Sequence, residues 1–182
     1  MSNIGPSSKT APPPTSLCCS CLTPSVQWIE HLLTPRPPVF VVRSSVEIKA
    51  SPKDVWKQVV AFSQIEPPHE LLFREGVAYP IRAEIVGKGA GAERHCVFST
   101  GVFVEPVQIW DEPRRLKFSV TENPPPMEEW TPYHHIEPPH LHGFLKSEGG
   151  EFLLTSLPNG NTRLVGTTWY QHGLWPAAYW RL

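Results

Sequence analysis

Nowhere in this chain do apolar residues run on for the roughly 18 positions that a membrane-spanning helix requires. The N-terminus also lacks a basic segment followed by an apolar run of signal-peptide length. A soluble, cytoplasmic product with no membrane span is therefore expected. Charge is scarce, and neither sign is in excess: 16 Lys and Arg stand against 17 Asp and Glu. With no basic surplus to neutralise a phosphate backbone, no nucleic-acid partner is expected. Cysteine is limited to four residues, three of them (Cys18, Cys19, Cys21) in "LCCSCL". They are too few and too clustered for a secreted disulfide framework, and they match no paired C-x-x-C zinc spacing, so a reduced, unstructured tail is the reading. No Ser or His stands in an elbow or triad context, and no two carboxylates are set in visibly unlike surroundings.

Proline, by contrast, reaches 22 residues and tryptophan seven. This mixture suggests loop-rich β structure with aromatic anchors rather than a helical bundle. Residues 1 to 24 are small, polar and Pro-rich and are expected to be disordered. "SVQWIEHLL" (25 to 33) reads as a short linker helix, ended at once by "TPRPP". The chain thus divides into a tail and linker over 1–37 and a single domain over 38–182.

The domain opens with "VFVVRSSVEIK" (39 to 49), where Phe40, Val42, Val46 and Ile48 share one face and Arg43, Ser45, Glu47 and Lys49 the other. Period two predicts a strand with one wet face. In "SPKDVWKQVV", Ser51 is an N-cap, Pro52 occupies the first helical position and Asp54 lies three residues beyond the cap. The helix is expected to run to about Phe62, with a weaker helical turn before "EPPHE". From residue 80 on, alternating segments separated by "GKGAG", "DEP", a long Pro-rich loop and "PNGN" predict an antiparallel meander. The "GKGAG" glycines run into a strand instead of a helix, so they read as a hairpin turn and not as a phosphate loop.

Such a sheet needs a cover, and one short helix is too little. At the end of the sequence, "GLWPAAYWRL" places Trp175, Ala178, Tyr179 and Leu182 at helical spacing after Pro176. A helix able to span the sheet would take on the order of 20 residues. The natural chain is accordingly expected to continue past Leu182.

The order of strand, capped helix, six-strand meander and final helix resembles the helix-grip fold of the SRPBCC superfamily, which includes START domains and polyketide cyclase-like proteins. The carriers are "VEIKASPKDVWKQVVAF" (46 to 62), "WDEPRRLKFSV" (110 to 120) and "NTRLVGTTWY" (161 to 170). The resemblance implies an α+β fold: a bent antiparallel sheet of six to seven strands, one or two short helices after the first strand, and a C-terminal helix of which only the start is present. It also implies a cavity between sheet and helix for an apolar ligand. Two departures stand out, the truncated final helix and the long Pro-rich loop from Glu122 to Gly149, which could serve the cavity as a lid.

Strand parity assigns Phe98, Phe118 and Phe152 to the concave surface, with Trp110 at its rim, and Gly166, Thr168, Tyr170 and His172 facing the final helix. Apolar walls with a few hydroxyls describe a small-molecule pocket. Glu105 in "VFVEPV" either points outward or faces the cavity with a raised pKa, and Pro106 beside it suggests a bulge. Cys96 reads as a core thiol. His134, His135, His140 and His142 fall within nine residues, but spacing fixes neither a third ligand nor an orienting carboxylate, so they read as a polar loop and no metal or cofactor is expected. Three functions follow as expectations. The first is carriage of a hydrophobic small molecule, lipid- or polyketide-like. The second is a cyclase/aromatase-type enzyme using the same cavity, with Glu105 or His172 moving protons. The third is an interaction module whose uncovered sheet docks a partner helix. A non-enzymatic carrier is the preferred reading.

Overall fold

A computed structural model of the chain describes residues 37–128 and 143–173, all within a unit spanning Pro37–Arg181. The tail with its three cysteines, the linker helix at 25–33, the histidines at 134–142 and the C-terminal helix start at 174–182 lie outside the described residues.

The α+β fold class read from the sequence is the one observed. Strand β1 (Phe40–Ile48) is followed by helix α1 (Pro52–Val60), a helical turn α2 (Leu71–Arg74), and then β2 (Pro80–Val86), β3 (Glu93–Phe98), β4 (Gly101–Asp111), β5 (Arg115–Ser119), β6 (Leu145–Ser156) and β7 (Thr162–His172). Together they form one open antiparallel sheet of seven strands, ordered β1-β7-β6-β5-β4-β3-β2. The last strand returns to pair with the first along its full length, from Phe40 opposite Tyr170 to Ile48 opposite Thr162.

Helix α1 begins where the cap signals place it. The Asp54 amide donates to Ser51 Oγ at 3.4 Å, and the Ser51 hydroxyl donates to the Asp54 carboxylate at 2.7 Å. Replacing Ser51 by Ala should cost about 1 kcal/mol, read as a lowered urea midpoint with an unchanged slope.

The helix ends at Val60, two residues earlier than expected, and the second helical turn falls after "EPPHE" instead of before it. The reason is tertiary. Residues 62–65 are drawn into an extended segment along β2, where Phe62 exchanges two backbone hydrogen bonds with Ala83 (3.0 and 3.1 Å) and the Ile65 amide donates to Ile81 O at 2.8 Å. Sheet pairing satisfies these backbone groups better than another helical turn with no apolar face to bury.

Under α1 lies a packed core. Val55, Trp56, Val59 and Val60 meet Ala92, Val107, Leu116, Phe118 and Leu154 from the sheet. Bulges between Pro80 and Arg82, Val107 and Ile109, and Ser147 and Gly149 interrupt the ladders. Each extra residue bends its strand and reverses the inward parity beyond it.

Candidate functional site

Away from α1 the described residues leave part of the concave face unfilled. A hollow of about 570 Å³ is lined from β3 by Arg94, Cys96 and Phe98 and from β4 by Phe103 and Glu105. Phe118 enters from β5, Gly149, Gly150 and Phe152 from β6, and Thr168 and Tyr170 from β7. Phe62 closes one side from the segment that runs beside β2.

Strand alternation puts these side chains together. On β3 the inward residues are 94, 96 and 98, on β4 they are 103 and 105, and the antiparallel register sets Arg94 opposite Glu105 and Cys96 opposite Phe103. The Phe98 and Phe103 rings meet edge-on at 4.9 Å. Arg94 and Glu105, only 4% and 6% exposed, form an ion pair. The guanidinium also donates from Nε to Val60 O at 3.1 Å, capping the end of α1, and its carbon lies 5.6 Å from the Phe118 ring and 6.0 Å from that of Phe62. Arg94 therefore stands where the packed core gives way to the hollow.

Burial raises the Glu105 carboxyl above the ordinary carboxylate range, opposed by the charge and the hydrogen bond of Arg94. Burial likewise pushes the Cys96 thiol up to about 11, with the Arg94 charge opposing it. A thiol held that high is protonated and unreactive at neutral pH.

The mouth of the hollow carries a strap. Asn123 binds the Ser147 backbone on both sides, accepting its amide at 2.7 Å and donating to its carbonyl at 3.2 Å. Downstream, Pro125 O accepts from the Thr100 hydroxyl at 2.7 Å and Pro126 O from the Ala78 amide at 3.0 Å. Pro124, Pro125 and Pro126 thereby form part of the wall. With no amide hydrogens of their own to bury, prolines suit such an apolar wall.

Among the residues singled out from the sequence, Phe98, Glu105, Phe118, Phe152, Thr168 and Tyr170 come together around the hollow. Trp110 does not. Its ring packs edge-on against Trp56 at 5.5 Å in the core below α1. The bulge at Gln108 keeps Trp110 on the same inward side as Val107, Leu116 and Phe118, but at the end of the sheet covered by α1, where Trp56 and not the hollow receives its ring. That bulge lies two residues beyond Pro106, where one was expected, and the β3–β4 ladder passes Glu105 and Pro106 without a shift. Gly166 receives the Phe152 ring, 3.6 Å from where a Cβ would stand, and serves packing. His172 is buried outside the hollow, stacked on Phe40 at 4.8 Å, and neither ring nitrogen has a hydrogen-bond partner among the described residues. Glu105 and His172 are thus not brought to a common site.

Sequence reading missed Arg94 as a partner for Glu105, although the short turn at Ser99 and Thr100 fixes a register that sets the two opposite each other. It also missed Phe62, Phe103 and the Asn123 clamp. Among the described residues, no three His, Cys, Asp or Glu side chains are grouped to hold a metal ion, and no helix is long and apolar enough to cross a membrane.

No family model and no curated protein matches the chain. Solved structures that resemble it include a structural-genomics protein from Nitrosospira multiformis, with 18% identity over 78% of this chain and 85% of that one, TM-score 0.45. Another is Ara h 8.0201, with 11% identity, 75% and 80% coverage and TM-score 0.45. A third is a point mutant of norcoclaurine synthase from Thalictrum flavum in complex with a transition-state analogue, with 14% identity, 75% and 78% coverage and TM-score 0.44.

Proposed function

We propose that this is a helix-grip domain of the SRPBCC kind that carries a hydrophobic small molecule in the hollow and acts in the cytoplasm. The observation that carries this reading is an unfilled space of about 570 Å³ walled by Phe62, Phe98, Phe103, Phe118 and Phe152, with one buried charge pair at its inner end. Pockets for small organic ligands have this size and this balance of aromatic wall and few polar groups. The ligand's apolar body gains from leaving water, while Arg94 with Glu105, Thr168 and Tyr170 offer hydrogen bonds to a polar end.

The cyclase/aromatase alternative would need a proton donor and acceptor at one place. Of its two candidates only Glu105 lines the hollow, and that carboxylate is already held by Arg94. Carriage is therefore favoured over catalysis.

Titration of the full chain with the fluorescent probe 1-aminoanthracene tests the proposal. Thr168 lines the hollow yet is exposed, so Thr168→Trp adds an indole there at little cost to the fold. Binding should weaken at least about tenfold in the variant, a loss of roughly 1.4 kcal/mol. A wild-type chain that leaves the probe unbound, or a variant that binds it equally well, overturns the reading.

A further inference from the structure

The two edges of the sheet are finished differently. At the β2 edge, Pro80 removes one donor and the segment 62–65 pairs with Ile81 and Ala83, so the first half of the outermost strand is covered. At the β1 edge no described strand lies beyond residues 40–48, and the nine-residue pairing with β7 runs without a bulge. Residues 41–47 are all exposed, with Val41 at 56%, Val42 at 49% and Val46 at 52%. No Pro, Lys or bulge interrupts 40–48, so the two charges Arg43 and Glu47 are what is left to blunt this edge.

Its two charges are of opposite sign and lie four residues apart on the outer face, one on each side of Ser45. Asn159 and Asn161 both donate to Glu47 Oε1, at 2.9 and 2.7 Å, and hold that carboxylate in place. Arg43 makes no hydrogen bond or ion pair among the described residues. An antiparallel copy of the same strand related by a two-fold axis through Ser45 sets each Arg43 opposite the other copy's Glu47, and each Val42 opposite the other's Ile48. In the register one residue away, through Ser44, Glu47 would instead face Val41.

We propose that the chain forms a homodimer by antiparallel pairing of its β1 edges about Ser45, joining two seven-stranded sheets into one. The interface is isologous and closes on itself, and the segment 62–65 leaves only residues 84–86 of the β2 edge open, too short a stretch for a comparable second contact, so the assembly stops at two. Backbone hydrogen bonds supply the adhesion, and the two Arg43–Glu47 pairs with the Val42–Ile48 contacts fix the register.

Sedimentation of the full chain through the micromolar range tests this. The wild type should run at twice the mass of the 20.5 kDa protomer. Arg43→Glu turns both cross-strand attractions into repulsions and should weaken the dimer at least about tenfold. The double variant R43E/E47R restores opposite charges and should recover it. Ser45→Lys sets two like charges against each other on the axis and should also give a monomer, with unchanged circular dichroism because Ser45 is exposed. A wild type that is monomeric throughout overturns the proposal. So does a dimer indifferent to both R43E and Ser45→Lys, or a charge swap that fails to rescue.

Discussion

Replacing Arg94 by Met should destabilise the fold by about 3–5 kcal/mol at neutral pH, because it leaves the Glu105 carboxylate buried without its counter-ion. It also strips the Val60 carbonyl of its donor at the end of α1. The pH dependence identifies which loss dominates. Burial already holds the native Glu105 carboxyl above its unfolded value, against the pull of Arg94. Between those two values the native state binds more protons than the unfolded chain, so stability falls as pH rises through that window. Without Arg94 nothing opposes burial, the native value climbs further, and the penalty reaches to higher pH. Acidification below that value neutralises the carboxyl, so the variant should regain most of its lost stability in mildly acid buffer. Urea unfolding at neutral and mildly acid pH reads this directly. The double variant R94M/E105L removes both charges and should approach wild type, short by about 1 kcal/mol for the unpaired Val60 carbonyl. A deficit in Arg94→Met that does not change with pH would mean that packing, and not charge, is what Arg94 contributes.

That pair also shows where sequence reading succeeds and where it stops. Period-two alternation located all seven strands, although the loop expected to run to Gly149 gives way to β6 already at Leu145, and the cap at Ser51, with Pro52 behind it, located α1, because those signals are local. Parity placed Phe98, Phe118 and Phe152 on one surface for the same reason. It could not tell where along that surface Trp110 falls: the bulge at Gln108, which nothing local marks, keeps the ring on the inward side, and α1, packed over that end of the sheet, takes it into the core through Trp56. The helical turn was put on the wrong side of "EPPHE" because the pull on residues 62–65 comes from β2, some 20 positions away in sequence. Asn123 was missed because its amide serves the backbone of Ser147 across the long loop, a partner that periodicity cannot name. What escapes is what depends on distant neighbours, and the hollow is made of such contacts.

The two adjacent glycines of β6 make the sharpest case, and they should respond to substitution in opposite ways. Gly149 faces backbone: an added Cβ would stand 2.6 Å from Phe118 O, and a carbonyl in a sheet ladder cannot step aside. Gly149→Ala should therefore pry β5 from β6 and cost about 1–3 kcal/mol by overpacking, seen as a lowered urea midpoint. Gly150 faces the far end of a ring: its Cβ would meet Phe118 Cζ at 2.5 Å. The ring can give way, and the free side is the hollow, because Arg94 and Phe152 already flank it at 5.6 and 6.0 Å. Gly150→Ala should thus leave stability less affected than Gly149→Ala but reduce the capacity of the hollow, weakening 1-aminoanthracene about tenfold, or roughly 1.4 kcal/mol. Adding Phe118→Leu shortens the side chain that was displaced and should return affinity toward wild type. If Gly150→Ala binds the probe as well as the parent does, Phe118 is not what the bare β6 backbone accommodates, and the volume of the hollow is set by other residues.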